Sequence, residues 1–137
     1  MKKLLILSLV LLMVVVFATA ALAKAEKQIL EPYVSSNAPY YEEASGKAIV
    51  NTSKGDVVLE ITVSVKGLEP GTEYEVKGCI SKAEAGWTSI GVFTTNANGN
   101  GNFHINFRVD EDLPPTGYIY INLPGIGDST VLMAEGY

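Results

Sequence analysis

The chain is poor in the residue types that build catalytic and metal sites. Its 137 residues include one cysteine and one histidine. Because Cys79 is the only cysteine, the chain cannot form an intramolecular disulfide, and it is therefore not a small domain stabilised by disulfides. We expect a buried thiol there, with an intermolecular disulfide as the alternative. His104 has no nearby cysteine partner for zinc and no serine and acid in a recognisable triad. We therefore predict a protein that is not an enzyme and uses no metal or cofactor.

Positive charge is also scarce. The sequence has 10 Lys and Arg against 15 Asp and Glu, which gives a formal net charge of −5 at pH 7. An acidic protein is repelled by phosphate backbones and by anionic lipid surfaces. No glycine-rich phosphate loop follows a strand into a helix. Composition therefore argues against nucleic acid as a partner.

The one long apolar run lies at the N terminus. Lys2 and Lys3 precede an apolar segment, residues 4–18, that only Ser8 interrupts, and Ala21-Leu22-Ala23 follows. This three-part pattern predicts a helical signal peptide over residues 1–23, cleaved after Ala23. The alternative is an uncleaved anchor, since about 20 apolar residues span a bilayer. We expect a secreted or cell-surface protein that contacts the membrane only through this segment, if it is retained.

Beyond the signal, the chain alternates between apolar and polar residues. Residues 24–45 are an exception, because their periodicity is weak and they contain Pro32 and Pro39; we predict an extended lead-in or stalk. In residues 46–137 the alternation predicts about seven antiparallel strands with one buried face each, as in an all-β sandwich. The segments are KAIVNT, DVVLEITVSVK, TEYEVKGCI, TSIGVFTT, NFHINFRV, GYIYINL and STVLMAE.

One segment carries a family resemblance. Gly67-Leu68-x-Pro70-Gly71-Thr72-x-Tyr74-x-Val76 resembles the segment of a fibronectin type III domain that joins two strands across the sandwich. The resemblance implies an immunoglobulin-like or fibronectin III-like Greek-key sandwich. It also implies that Leu68 plugs the core, that Pro70 and Gly71 form the turn, and that the Tyr74 hydroxyl bonds back to the backbone of the corner.

The loop TTNANGNGNFHI is rich in asparagine. Asparagines alternate over residues 96–102 as ligands do in a calcium loop, but calcium favours carboxylates and this loop has none. Asn98-Gly99 and Asn100-Gly101 are strong hairpin signals, because both residue types tolerate a positive φ. The loop is therefore predicted to be a hairpin turn.

The last strands offer a candidate ligand-contact strip. His104, Asn106 and Arg108 alternate outward on one strand, and Tyr118 and Tyr120 alternate outward on the next. If the two strands pair as a hairpin, Arg108 lies near Tyr118 and Asn106 near Tyr120. Such a strip would suit a glycan or a surface protein. The alternative is ordinary cross-strand pairing, or cover by the lead-in.

We predict an exported, non-enzymatic binding or structural module of the cell envelope or extracellular space, and two alternatives stay open. Asp110, Glu111 and Asp112 could form the weak cation site of a calcium-binding adhesion domain. Residues 96–102 or 113–117 could serve as the exposed loop of a small secreted hydrolase or protease inhibitor. Asn51 begins an Asn-Thr-Ser sequon, a candidate glycosylation site in an exported chain.

Overall fold

The computed structural model describes residues 24–52, 58–78, 88–108, 118–125, 127 and 129–135. This part of the chain is all β: it contains no helix, and hence none that could cross a membrane. Its strands are β1 (Lys24–Pro32), β2 (Ser45–Thr52), β3 (Val58–Lys66), β4 (Glu73–Gly78), β5 (Thr88–Thr94), β6 (Gly101–Arg108), β7 (Ile119–Asn122) and β8 (Thr130–Ala134). Each of the seven predicted segments overlaps one of them.

The eight strands form one sheet in the order β5-β4-β7-β8-β1-β2-β3-β6, with every pairing antiparallel. The two edge strands, β5 and β6, follow one another along the chain. Aromatic rings pack across the gap between them. The Phe103 ring of β6 lies so close to Gly91 of β5 that an added Cβ there would be 2.6 Å from Cε2, and the Phe93 ring of β5 leaves no room for a Cβ at Gly101 of β6. The result is a nearly closed, barrel-like sheet of eight strands, where we had expected a sandwich of about seven.

The period-two pattern sorts side chains between the two faces of this sheet, as β3 shows most clearly. Leu59, Ile61 and Val63 are buried, whereas Glu60 and Thr62 between them are partly exposed. Successive side chains of a strand point to opposite faces, so one face of β3 joins the core and the other meets solvent. The core cluster draws on all strands of the described chain except β6, whose Phe103 and Ile105 pack against it.

The first nine residues of the predicted extended lead-in form a strand of the sheet. Lys24–Pro32 is β1, a strand that pairs with β2 on one side and β8 on the other. Leu30 is fully buried, and Gln28, also facing inward, is only 8% exposed. The Gln28 side chain accepts a hydrogen bond from the backbone N–H of Ile119 at 3.0 Å. Because Gln28 is a polar residue at an inward position, it interrupts the alternation of apolar and polar residues by which a strand is recognised in the sequence.

The corner implied by the fibronectin-like segment is confirmed in its local geometry. Leu68 is buried, and Tyr74 is completely so. The backbone N–H of Glu69 donates to the Tyr74 hydroxyl at 3.2 Å, five residues upstream. Gly71 has a φ of +66°, the left-handed conformation that glycine adopts without strain. A tyrosine corner therefore joins β3 to β4, within a sheet that is not shown to be a fibronectin-type sandwich.

We expect Tyr74→Phe to lower the free energy of unfolding by about 1–3 kcal/mol, because it leaves the Glu69 N–H without its acceptor. Urea denaturation of the variant measures this change. Tyr40→Phe is the matched control, since Tyr40 is 54% exposed. The control should change stability by less than about 0.5 kcal/mol. Equal unfolding midpoints for the two variants would contradict a structural role for the hydroxyl.

The same corner makes stability sensitive to alkaline pH. The Tyr41 hydroxyl lies 3.3 Å from Oε2 of Glu69 and 3.4 Å from the Tyr74 hydroxyl. Burial, with the neighbouring Tyr74 and Glu69, raises the pKa of Tyr41 well above its usual range. The unfolded chain ionises Tyr41 near pH ~10. The raised pKa therefore stabilises the fold below that pH, and this contribution is lost as pH rises towards the pKa of the folded state.

We accordingly expect Tyr41→Phe to flatten the decline in unfolding free energy above pH ~10. Chemical denaturation of the wild type and the variant between neutral and strongly alkaline pH measures the two slopes. Tyr40→Phe, at an exposed neighbouring tyrosine, should keep the wild-type slope. Identical slopes for wild type and Tyr41→Phe would show that the corner tyrosine does not contribute.

Candidate functional site

The predicted strip of His104, Asn106, Arg108, Tyr118 and Tyr120 does not assemble. β6 pairs with β3, and β7 pairs with β4 and β8, so β6 and β7 form no hairpin. Tyr120 was expected to face solvent but is 6% exposed, whereas Tyr118 is 40% exposed. The side chain of Arg108 lies outside the described part. The proposed pairing was wrong because β6 pairs with the distant strand β3, and both sides of β7 are taken by β4 and β8.

His104 and Asn106 instead join a polar network with β3 and β2. Nδ1 of His104 lies 3.0 Å from the Thr62 hydroxyl, and Nε2 lies 3.4 Å from Nδ2 of Asn106 and 3.8 Å from Oε1 of Glu60. Oε2 of Glu60 accepts a hydrogen bond from Asn51 at 3.1 Å. We call these five residues the His104 network. Glycosylation of Asn51 stays a prediction.

Beside this network is a groove that sequence reasoning missed. Its volume is about 330 Å³, and it lies on the outward face of β1, β2 and β3. We call it the lysine groove; its lining residues are Lys27, Ile29, Ser45, Gly46, Lys47, Ser64, Val65 and Lys66. The sequence analysis put Lys47 and Lys66 in two predicted strands but Lys27 in the lead-in. The three lysines come together only because residues 24–32 form a strand beside β2.

The register places the three lysines of the groove on a diagonal. Lys27 pairs with Ile49, two residues beyond Lys47 on β2, and Lys66 pairs with Ser45, two residues before it. Each step is thus one strand across and two residues along. Diagonal neighbours of this kind lie about 7–8 Å apart.

Among the described residues, the lysines of this diagonal have no ion-pair partner. Lys27, Lys47 and Lys66 are all exposed, and within the described residues none has a carboxylate oxygen within 4.0 Å of its amino group. Lys77, by contrast, pairs with Glu75 at 3.2 Å. In water, two like charges at the diagonal spacing repel by about 0.5 kcal/mol. An anion bound between them would relieve this repulsion, so the groove is suited to holding negative charge.

The asparagine-rich loop is a turn, as predicted, but its strands do not pair with each other in a ladder. Oδ1 of Asn96 accepts hydrogen bonds from the backbone N–H groups of Asn98, at 2.9 Å, and Asn100, at 3.1 Å. The carbonyl of Gly99 accepts from the N–H of Leu68 at 3.1 Å. The loop thus turns the chain between the sheet edges and braces the tyrosine corner.

Several candidates from the sequence lie outside the described residues: Cys79, the acidic cluster 110–112 and the loop 113–117. Within the described part, no three His, Cys, Asp or Glu side chains are grouped so that they could hold a metal ion. The lysine groove and the His104 network share one outward face, and we take this face as the candidate site.

Comparisons of the chain with protein-family models, curated proteins and solved structures give no match, so the fibronectin resemblance depends on the corner alone.

Proposed function

We propose that the protein is an exported, non-enzymatic binding module that holds an anionic ligand in its lysine groove, at the cell envelope or outside the cell. The observation that carries this proposal is that Lys27, Lys47 and Lys66 line one groove with no ion-pair partner among the described residues, in a chain of net charge −5. Local positive charge in a concave site attracts anions even when the rest of the surface is acidic.

The chemistry of the groove supports binding over catalysis. Its polar side chains are lysines and two serines, Ser45 and Ser64, both only partly buried. Lysine works as a catalytic base or nucleophile when desolvation in an apolar pocket or a neighbouring cation lowers its pKa. All three lysines of the groove are exposed to solvent. Such ammonium groups hold anions as point charges, and this is the role that we assign to them.

Export is supported by the N-terminal pattern of the sequence. Cleavage after Ala23 would leave all of β1 in the mature chain. It would also remove two lysines and shift the formal charge from −5 to −7. N-terminal sequencing of the protein recovered from a secreting host should read from Lys24 onward. A retained N-terminal methionine would contradict a cleaved signal.

The binding proposal is tested by NMR titration with two small anions, inorganic phosphate and glucuronate. We expect saturable shifts confined to backbone amides around Lys27, Lys47 and Lys66. Lys47→Gln should weaken binding about two- to fivefold, the size of one exposed charge pair. Lys77→Gln removes the same charge outside the groove and should leave affinity unchanged. Equal losses in both variants, or no saturable shift with either anion, would overturn the proposal.

A further inference from the structure

We propose, on the basis of that function, that the anionic ligand is a carboxylated polysaccharide lying across the outward face of β1, β2, β3 and β6. Its carboxylates would meet the lysine diagonal, and its hydroxyls would meet the His104 network. Two independent features of this face lead to the assignment: the spacing of the lysines, and the hydrogen-bonding side chains beside them.

The spacing favours a chain over a single small anion. From Lys27 to Lys66 the diagonal crosses three strands in two steps, a span of about 15 Å. One small anion can contact one or two of these amino groups at a time. A linear polymer with repeated charges can contact Lys27, Lys47 and Lys66 together. Linked contacts of this kind raise affinity without any new type of interaction.

The groups beside the diagonal favour sugar over phosphate polymer. Thr62 pairs with Ile49 on one side and with His104 on the other, so the His104 network begins one strand and two residues from Lys47. Hydroxyl, amide and imidazole groups can donate to and accept from sugar hydroxyls. A carboxylated polysaccharide presents hydroxyls next to each charge, which matches this mixed surface. A phosphate polymer presents mainly charge.

Apolar side chains on the same face add to the match. Ile29 is 39% exposed and pairs with Lys47, and Ile49 is partly buried and pairs with Lys27. They can cover the C–H faces of sugar rings while the lysines hold the charges. The net charge of −5 opposes a densely charged partner such as nucleic acid more strongly than one with widely spaced charges.

The test compares galacturonate oligomers of increasing length with polyphosphate, by calorimetry on the protein expressed from the complete sequence. Affinity for the oligomers should rise with length until the chain spans the diagonal, and then level off. Lys27→Gln and Lys66→Gln should each weaken binding of the long oligomer about two- to fivefold. Lys77→Gln is the control of equal charge.

Thr62→Val and Asn106→Ala separate sugar from phosphate, because neither changes the charge of the face. Each should weaken oligogalacturonate binding and leave polyphosphate binding unaltered. If both variants bind oligogalacturonate like wild type, or if polyphosphate binds more tightly than any oligomer, the polysaccharide assignment is overturned while the anion groove stands. If phosphate and glucuronate also fail to bind, both proposals are overturned.

Discussion

Gly99→Ala should lower the free energy of unfolding by about 2–5 kcal/mol, the largest loss we expect from a single added methyl group. Gly99 has a φ of +73°. A residue with a Cβ costs about 1–2 kcal/mol in that left-handed conformation. The new Cβ would also run into the backbone carbonyl oxygen of Leu68. Overpacking of this kind typically adds about 1–3 kcal/mol.

The Leu68 carbonyl has little freedom to move away. The Leu68 side chain is buried at 4% exposure, and the Leu68 N–H donates a hydrogen bond to the carbonyl of Gly99. The loop and the corner are therefore held against each other from both sides. A methyl group inserted between them must separate the loop from the corner or move the Leu68 side chain out of the core.

Gly71→Ala isolates the conformational part of this effect, so its comparison with Gly99→Ala gives the steric part. Gly71 has a similar φ of +66°, but a Cβ built there meets no atom within 4 Å. It should therefore cost only the conformational term of about 1–2 kcal/mol. Urea denaturation of both variants gives the difference. If Gly99→Ala is no less stable than Gly71→Ala, the contact between the loop and the corner is not tight.

Leu30→Ala is expected to be similarly damaging, with a loss of about 2–5 kcal/mol in unfolding free energy. Leu30 is fully buried on β1, which lies between β2 and β8. Truncation there removes apolar contact and leaves a cavity that the paired strands on both sides cannot readily close. The prediction tests whether residues 24–32 belong to the sheet.

The neighbouring residue supplies the control. Ile29 lies on the same strand but faces outward at 39% exposure. Ile29→Ala should cost less than about 1 kcal/mol, as surface substitutions usually do. Denaturant unfolding of the two single variants provides the comparison. If both variants were as stable as wild type, Lys24–Pro32 would be the dispensable lead-in that the sequence suggested, and the lysine groove would lose one wall.

Local features were predictable because their causes are local. Alternating residues such as Leu59, Ile61 and Val63 face one side of any extended strand, so the strands could be recognised before their partners were known. The Tyr74 corner is closed by a bond to Glu69, five residues away. The turn at Asn98-Gly99 follows from which residues tolerate a positive φ. Each prediction depends on atoms that are close along the chain.

The candidate site was not predictable in the same way. Lys27, Lys47 and Lys66 lie far apart in sequence, and nothing in their own segments indicates that they share a groove. β1 was missed because inward-facing Gln28 interrupts its apolar pattern, and that residue is satisfied by the N–H of Ile119. Tyr120 was misassigned because strand β7 is buried along its whole length, whereas alternation predicts one buried and one exposed face.

The amino-acid sequence alone determined that this chain forms antiparallel strands, where most of them lie, and how its corner and its asparagine-rich loop turn. Only the tertiary structure decided which strands are neighbours, that the sheet nearly closes on itself, and that three lysines from β1, β2 and β3 line one groove. The physical reason is that alternation specifies which face of a strand is apolar but not which strand lies beside it. That choice depends on how all the apolar faces can be buried together.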